Sequence, residues 1–218
     1  MAELKTEEEQ LEAIKRWWKE NGTSLIAGVV IAGAGVFGWN AWQDYQAGKA
    51  EAASMRYQQL LDLTGQDELG EQARQRATEL VSEITDEHGK TLYADLARLL
   101  DARMAIDTGN RGQAQAALEA VIDGSERDYI AGLARLRLAR LQLAEGSAET
   151  ALATLEGVPE ALAAQRAEVR GNAQHALGRA DQAREAWREA LTLADERDQP
   201  LYGVQLKLDD LGVEEATL

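Results

Sequence analysis

Arg170-Gly-Asn-Ala-Gln-His-Ala-Leu-Gly178-Arg-Ala-Asp-Gln-Ala-Arg-Glu-Ala-Trp187-Arg-Glu-Ala190-Leu191 reads as two helices meeting at a glycine. Leu177-Gly178 is a stop signal, and apolar residues recur at three and four positions on both sides of it. The same register occurs twice earlier in the chain. Five positions after Gly109, Gly146 and Gly178 stand Ala114, Ala151 and Ala183. Nine positions after them stand Leu118, Leu155 and Trp187. The glycines are 37 and 32 residues apart, and periods in that range denote stacked helical hairpins. The small alanine lets the two helices of a hairpin approach closely. The large residue one turn later fills the space between hairpins.

Working outward, turn signals at Thr64-Gly65, His88-Gly89, Thr108-Gly109-Asn110, Asp123-Gly124-Ser125, Glu145-Gly146-Ser147, Glu156-Gly157 and Leu177-Gly178 divide the chain from Ala47 onward. They predict about nine helices and no strand. The two prolines, Pro159 and Pro200, are expected at helix starts. Leu201 to Leu211, within a closing segment of about 200–212, is expected to cap the last exposed face. The hairpin before Gly89, about 47–87, lacks the register and is expected to be longer and divergent. The unit at 170–191 resembles the tetratricopeptide repeat, with Gly171, Ala183, Trp187 and Ala190 at that motif's small and large positions. The earlier units carry Ala102 and Ala139 in place of Gly171, and Val121 and Val158 in place of Ala190. The expected fold is all-α: one N-terminal transmembrane helix followed by a tetratricopeptide-like α-solenoid.

The transmembrane helix is read from Asn21 to Gln43, which contains no charged residue. Trp18 and Trp39 lie 21 positions apart, or roughly 32 Å along a helix, which matches a hydrocarbon core of about 30 Å. Trp17, Trp18, Trp39, Trp42 and Tyr45 are placed at the two interfaces. A cleaved signal peptide has a shorter apolar run and a small-residue cleavage site, whereas this run ends in Phe37, Trp39 and Trp42. Lys15, Arg16 and Lys19 crowd the N-terminal border, against Lys49 and Arg56 beyond the span. That bias sets the N-terminus in the cytoplasm and the large domain outside it. The chain is thus divided into a tail (1–20), an anchor (21–43) and a repeat domain (44–218).

Thr6 and Glu9 fit a capping box for a tail helix, with Leu11, Ile14 and Trp18 on its apolar face. Asn21-Gly22 is expected to break that helix from the anchor. It either docks a cytoplasmic regulator or sets the depth of the anchor. Within the span, Gly28, Ala32, Gly35 and Trp39 share one face, a candidate surface for a neighbouring helix. Gly33-Ala-Gly35-Val-Phe-Gly38 spells G-x-G-x-x-G, but that fingerprint requires a strand before it and a βαβ unit around it. The nucleotide reading is set aside.

Charge and composition exclude further classes. The 218 residues carry a net charge of −15 and no cysteine. The first twenty hold four Lys/Arg and six Asp/Glu, which leaves −13 for Asp44 onward. Nucleic-acid affinity comes largely from cations on phosphates, so a nucleic-acid partner is excluded. Disulfides and cysteine metal sites are absent by composition. His88 is expected as a solvated turn residue, and His175 as part of a repeat helix's packing or polar face. Asp107 to Gly112 is loosely like a calcium loop, but Arg111 and Leu118 stand where oxygen ligands are needed. No catalytic, cofactor or metal residue is assigned, and an enzyme is not expected. The remaining candidate is a surface: the first helix of each hairpin lines the concave face of such repeats, which points to Tyr93, Tyr129, Arg135 and Arg137. Core packing is the competing fate of the tyrosines.

The tail Glu12-Ala-Ile-Lys-Arg-Trp-Trp-Lys-Glu-Asn-Gly22, the anchor ending Gly38-Trp-Asn-Ala-Trp42 and the repeat domain behind them together resemble the YfgM family, ancillary subunits of the bacterial SecYEG translocon. The resemblance spans essentially the whole chain. It implies an inner-membrane protein with a periplasmic repeat domain. The implied partners are SecYEG and the membrane-anchored periplasmic chaperone PpiD, the implied task is assistance to newly exported proteins, and the tail is linked to a cytoplasmic stress regulator. It implies no catalytic residue. The residues by themselves leave open an envelope scaffold for wall synthesis or division, or a regulator tether acting through the tail.

Overall fold

The computed structural model describes residues 7–65 and 70–212, with side chains from Glu9 onward. Thr6 of the expected capping box lies outside the described residues. The elements are α1 (Glu7–Thr64), α2 (Glu71–His88), α3 (Leu92–Asp107), α4 (Arg111–Gly124), α5 (Asp128–Ala144), α6 (Ala148–Leu155), a 3-10 turn (Glu160–Leu162), α7 (Ala163–Ala176), α8 (Ala180–Glu196) and α9 (Val204–Asp210). No strand occurs among the described residues. The chain divides into two units, residues 1–51 and 52–218.

In the first unit α1 runs unbroken through Asn21-Gly22, where the sequence predicts a break. The physical reason is local. Asn21 Nδ2 donates to the carbonyl of Trp17 at 3.1 Å, so its amide closes on the helix instead of competing with it. The Trp18 indole lies over Gly22, where an added methyl would sit 3.3 Å from the ring, and so shields the backbone a glycine leaves open. An interior glycine costs only about 1 kcal/mol, and a continuous helix satisfies every backbone group of an apolar segment. Among the described residues this is the one helix long and apolar enough to cross a membrane.

The second unit begins with the end of α1, whose Leu60 is buried with Leu80 and Ile84 of α2 and Ala94 and Ala97 of α3. Three hairpins follow: α3 with α4, α5 with α6, and α7 with α8. Their turns are built alike. Gly109, Gly146 and Gly178 adopt φ of 74°, 79° and 71°, a left-handed conformation in which a side chain is strained. Around each, two backbone bonds close the helix end. Asn110 N–H reaches the Ala105 carbonyl and Gly109 N–H that of Ile106; the pairs Ser147 to Gln142 with Gly146 to Leu143, and Arg179 to Gln174 with Gly178 to His175, repeat the pattern at 2.8–3.0 Å. This is the Schellman arrangement, which satisfies carbonyls that a helix end otherwise leaves unpaired. α8 ends in the same way, with Gln199 N–H on the Ala194 carbonyl at 2.9 Å, but there the left-handed residue is Asp198 (φ 51°).

Packing is shared from hairpin to hairpin. Leu99, Leu118 and Leu138 join α3, α4 and α5. Leu136, Leu155 and Val169 join α5, α6 and α7 through Val158 and Leu162. Trp187 and Val204 join α8 to α9, with Leu191, Leu201 and Leu208 around them. A buried carboxylate ties the first junction: Asp95, 1% exposed, accepts from Ser125 Oγ at 2.6 Å and Arg127 Nη1 at 3.1 Å. Pro159 precedes the 3-10 turn, and its ring lies against Gly132 of α5, leaving no room for a Cβ there. Pro200 is not at a helix start, contrary to expectation. α9 opens instead after Gly203 at φ 82°, a conformation the proline ring forbids.

Candidate functional site

The register residues sit deep in the second unit. Ala114, Ala151, Ala183 and Ala190 are fully buried, as are Ala139 and Val121, and Ala102, Val158 and Trp187 are buried to within 3%. Gly171 faces the Trp187 indole, whose Nε1 donates to Asn172 Oδ1 at 3.2 Å. These residues set helix spacing and offer no surface.

An open groove of 560 Å³ lies where α3 and α5 flank the start of α4. Its floor is apolar, formed by Leu99, Ile106, Leu118 and Leu141; its rim carries Arg103, Arg111, Arg137 and Arg140. Arg103 and Arg140 each stand six positions before a turn glycine, so the repeat brings the same position of successive helices to one surface. In the third hairpin that position is Asn172. There α9 closes over it, and Lys207 Nζ donates to Asn172 Oδ1 and Glu168 Oε1 at 3.0 Å each.

The rim is poorly neutralised. Arg103 reaches Asp107 at 3.9 Å and Arg140 reaches Glu168 at 3.4 Å. Among the described residues no carboxylate comes within ion-pair distance of Arg111 or Arg137. Arg137 Nη1 has only the Leu99 carbonyl at 3.5 Å, long for a hydrogen bond. Burial, then the neighbouring guanidiniums of Arg140 and Arg103, lower the Arg137 pKa.

Of the four residues suggested for partner binding, only Arg137 lines this groove. Tyr93 is half-buried, its ring 5.9 Å from that of Tyr57, whose pKa is raised by burial. Tyr129 is 50% exposed at the start of α5. Arg135 lies against Gly157, where a Cβ would sit 2.7 Å from its Cζ, and its buried Nε has no hydrogen-bond partner among the described residues. The sequence reading missed Arg103, Arg111 and Arg140. The shared register of Arg103 and Arg140 relative to the turn glycines was the available signal for those two; Arg111 has no counterpart at Ala148 or Ala180.

His88 departs from the solvated turn residue expected of it. It is 8% exposed, not solvated, because Arg56 of α1 covers it with Nη1 2.7 Å from Nε2. His175 is exposed at the end of α7, with its ring 5.7 Å from that of Trp187. Gly33 to Gly38 lie inside α1. In the Asp107 to Gly112 turn, Asn110 Oδ1 accepts from Gln113 N–H and caps α4. Among the described residues no group of three His, Asp or Glu could hold a metal ion.

In the first unit Trp17, Trp18, Trp39, Trp42 and Tyr45 are exposed. The Trp39 and Trp42 rings are 5.3 Å apart, and Lys49 Nζ lies 4.8 Å over the Tyr45 ring. Lys15, Arg16 and Lys19 are exposed on the preceding turns, and a Cβ on Gly28 or Gly35 would meet nothing, with Ala32 exposed between them.

These features define a class: a helical-hairpin repeat protein carrying one span-length apolar helix, with an open groove between repeats. A family model described as a tetratricopeptide repeat-like domain matches residues 15–213. Three relatives each bear the name ancillary SecYEG translocon subunit. The Escherichia coli K12 protein is 30% identical over 95% of this chain and 97% of its own length. Those of Haemophilus influenzae and Aggregatibacter actinomycetemcomitans are 31% and 38% identical over 57% and 60% of this chain. The matched stretch spans 58% and 61% of those two relatives' length. No solved structure matches significantly. The chain belongs to the YfgM family, with its tetratricopeptide-like domain.

Proposed function

We propose that this protein is a non-enzymatic, membrane-anchored adaptor of the bacterial Sec translocon. In this reading residues 21–43 span the inner membrane, Lys15, Arg16 and Lys19 hold the tail in the cytoplasm, and the repeat domain works in the periplasm. There it links SecYEG to the membrane-anchored chaperone PpiD and assists newly exported proteins. The tail offers a contact for a cytoplasmic stress regulator, and Gly28, Ala32 and Gly35 offer a face to a neighbouring membrane helix.

The observation that carries the reading is the similarity to the Escherichia coli translocon subunit along nearly the full length of both chains. The span-length helix supports the location, and the repeat fold supports a binding role over a catalytic one. Purification from membranes in mild detergent, followed by mass spectrometry, tests it. Translocon subunits and a periplasmic chaperone are expected to co-purify; recovery of wall-synthesis or division proteins in their place overturns it. A reporter active only in the periplasm, fused after Leu218, is expected to be active, and activity only from an N-terminal fusion reverses the orientation.

A further inference from the structure

We propose that the groove between α3 and α5 docks a helical segment that is apolar on one face and bears carboxylates along the edges of that face. The inference rests on the repeat domain being a protein-binding surface, but not on which partner the translocon reading assigns to it.

The floor sets the shape. Leu99, Ala102 and Ile106 of α3 recur at i, i+3 and i+7, one stripe of roughly 10 Å along the helix. Arg137, Arg140, Leu141 and Ala144 form the facing stripe on α5. Two such stripes at helical spacing leave a trough that accepts about two turns of a third helix. No described residue fills the trough: Ile106 remains 44% exposed at its edge.

The rim sets the charge. Four guanidiniums gather here in a chain of net charge −15. Two have no carboxylate partner among the described residues, and a third, Arg103, has one only at 3.9 Å on the exposed surface, where such a pair contributes little. Arg103, Arg137 and Arg140 lie close enough to repel one another in the empty groove; burial first, and then the charges of Arg140 and Arg103, lower the Arg137 pKa. An incoming carboxylate relieves that repulsion, and guanidinium suits carboxylates because it can bond both oxygens at once. A basic or uncharged amphipathic helix would satisfy the floor and leave the rim unneutralised.

Fluorescence anisotropy on the full-length protein in zwitterionic nanodiscs tests this. The probe is a capped peptide of about fourteen residues, roughly 21 Å as a helix, with leucine on one face and glutamate elsewhere; the control replaces every glutamate by lysine. The acidic peptide is expected to bind and to weaken as salt is added, while the lysine peptide does not bind. Arg137→Glu with Arg140→Glu is expected to weaken binding at least about tenfold, or about 1.4 kcal/mol. Arg111→Glu, at the exposed start of α4, is expected to weaken it with the melting temperature unchanged, which removes misfolding as an explanation. Equal binding of both peptides, or no effect of any variant, overturns the proposal. So does oleate binding that displaces the acidic peptide and is itself abolished by Arg111→Glu, because the groove is then an amphiphile site. Co-purification of the same variants with translocon subunits keeps the two readings apart. If peptides fail to bind while the translocon co-purifies, only the groove proposal falls; if the reverse holds, only the translocon reading falls.

Discussion

The Trp187 indole lies directly on the backbone of Gly171, so close that a methyl on the glycine would sit 2.9 Å from Cγ and nearer still to Cδ1. The two residues belong to successive helices of one hairpin, and their sizes compensate. In the preceding hairpins the same two positions hold Ala102 with Leu118 and Ala139 with Leu155, each pair within one buried cluster. A smaller wedge leaves room for the extra methyl.

Gly171→Ala is therefore expected to destabilise the repeat domain by about 1–3 kcal/mol, the range for overpacking a core. Trp187→Leu alone is expected to cost as much or more, by leaving a cavity. The double variant, which reproduces the earlier hairpins, is expected to lose less than the sum of the two. Urea unfolding of the four proteins measures that coupling; strict additivity would show that the two positions are independent.

The turn glycines make a second prediction. Gly146→Ala places a side chain at φ 79° and is expected to cost about 1–2 kcal/mol. Asp198 already occupies a left-handed position, at φ 51°. Asp198→Gly is expected to raise the melting temperature slightly, in the direction opposite to most glycine substitutions. Differential scanning calorimetry of both variants checks the pair of signs.

Asp95→Ala is expected to destabilise the domain through a lost buried acceptor. It removes the acceptor for Ser125 and Arg127 and leaves the hydroxyl proton and one guanidinium arm without that acceptor at the junction of α3 with α5, although Ser125 Oγ still accepts from the Arg127 backbone N–H. Hydrogen bonds to charged groups contribute about 1.5–3 kcal/mol. The half-exposed Arg127 regains some solvation, so about 2 kcal/mol is expected. Urea midpoints of the variant, of Arg127→Ala and of the double variant should show non-additive losses.

The sequence makes the hairpins legible because a helix end needs a left-handed residue and a glycine provides it. Gly109, Gly146 and Gly178 mark three turns and, through fixed offsets, Ala114, Leu118 and their counterparts. Offsets say which residues are buried but not what gathers on the outside. Arg103 and Arg140 share a register position, yet their meeting with Arg111 and Arg137 depends on how α3 and α5 align, a tertiary relation. Asp95 is invisible for the same reason, its partners lying 30 and 32 residues away. His88 was misread because the residue that covers it, Arg56, comes from a helix 32 positions earlier. The break at Asn21-Gly22 failed differently: local turn propensity lost to the Trp18 ring and to the helix on either side.

Asp101 provides a test in pH. Its carboxyl is half-buried beside the turn into α4. Burial raises its pKa, against the smaller opposing effect of Gln113 Nε2, which donates to Oδ1 at 3.0 Å. The folded protein therefore holds this proton more tightly than the unfolded chain, whose aspartates titrate near 3.9. Linkage fixes the sign: this group favours folding most below the unfolded value and loses that contribution as pH rises through the folded value. At neutral pH the ionised carboxylate is a net burden. Asp101→Asn keeps the acceptor for Gln113 and removes the charge. Its melting temperature is expected to exceed that of the wild type at pH 7, with the gap closing as pH falls towards about 3. A gap that widens on acidification would mean that the carboxylate stabilises the folded state, through a partner other than Gln113.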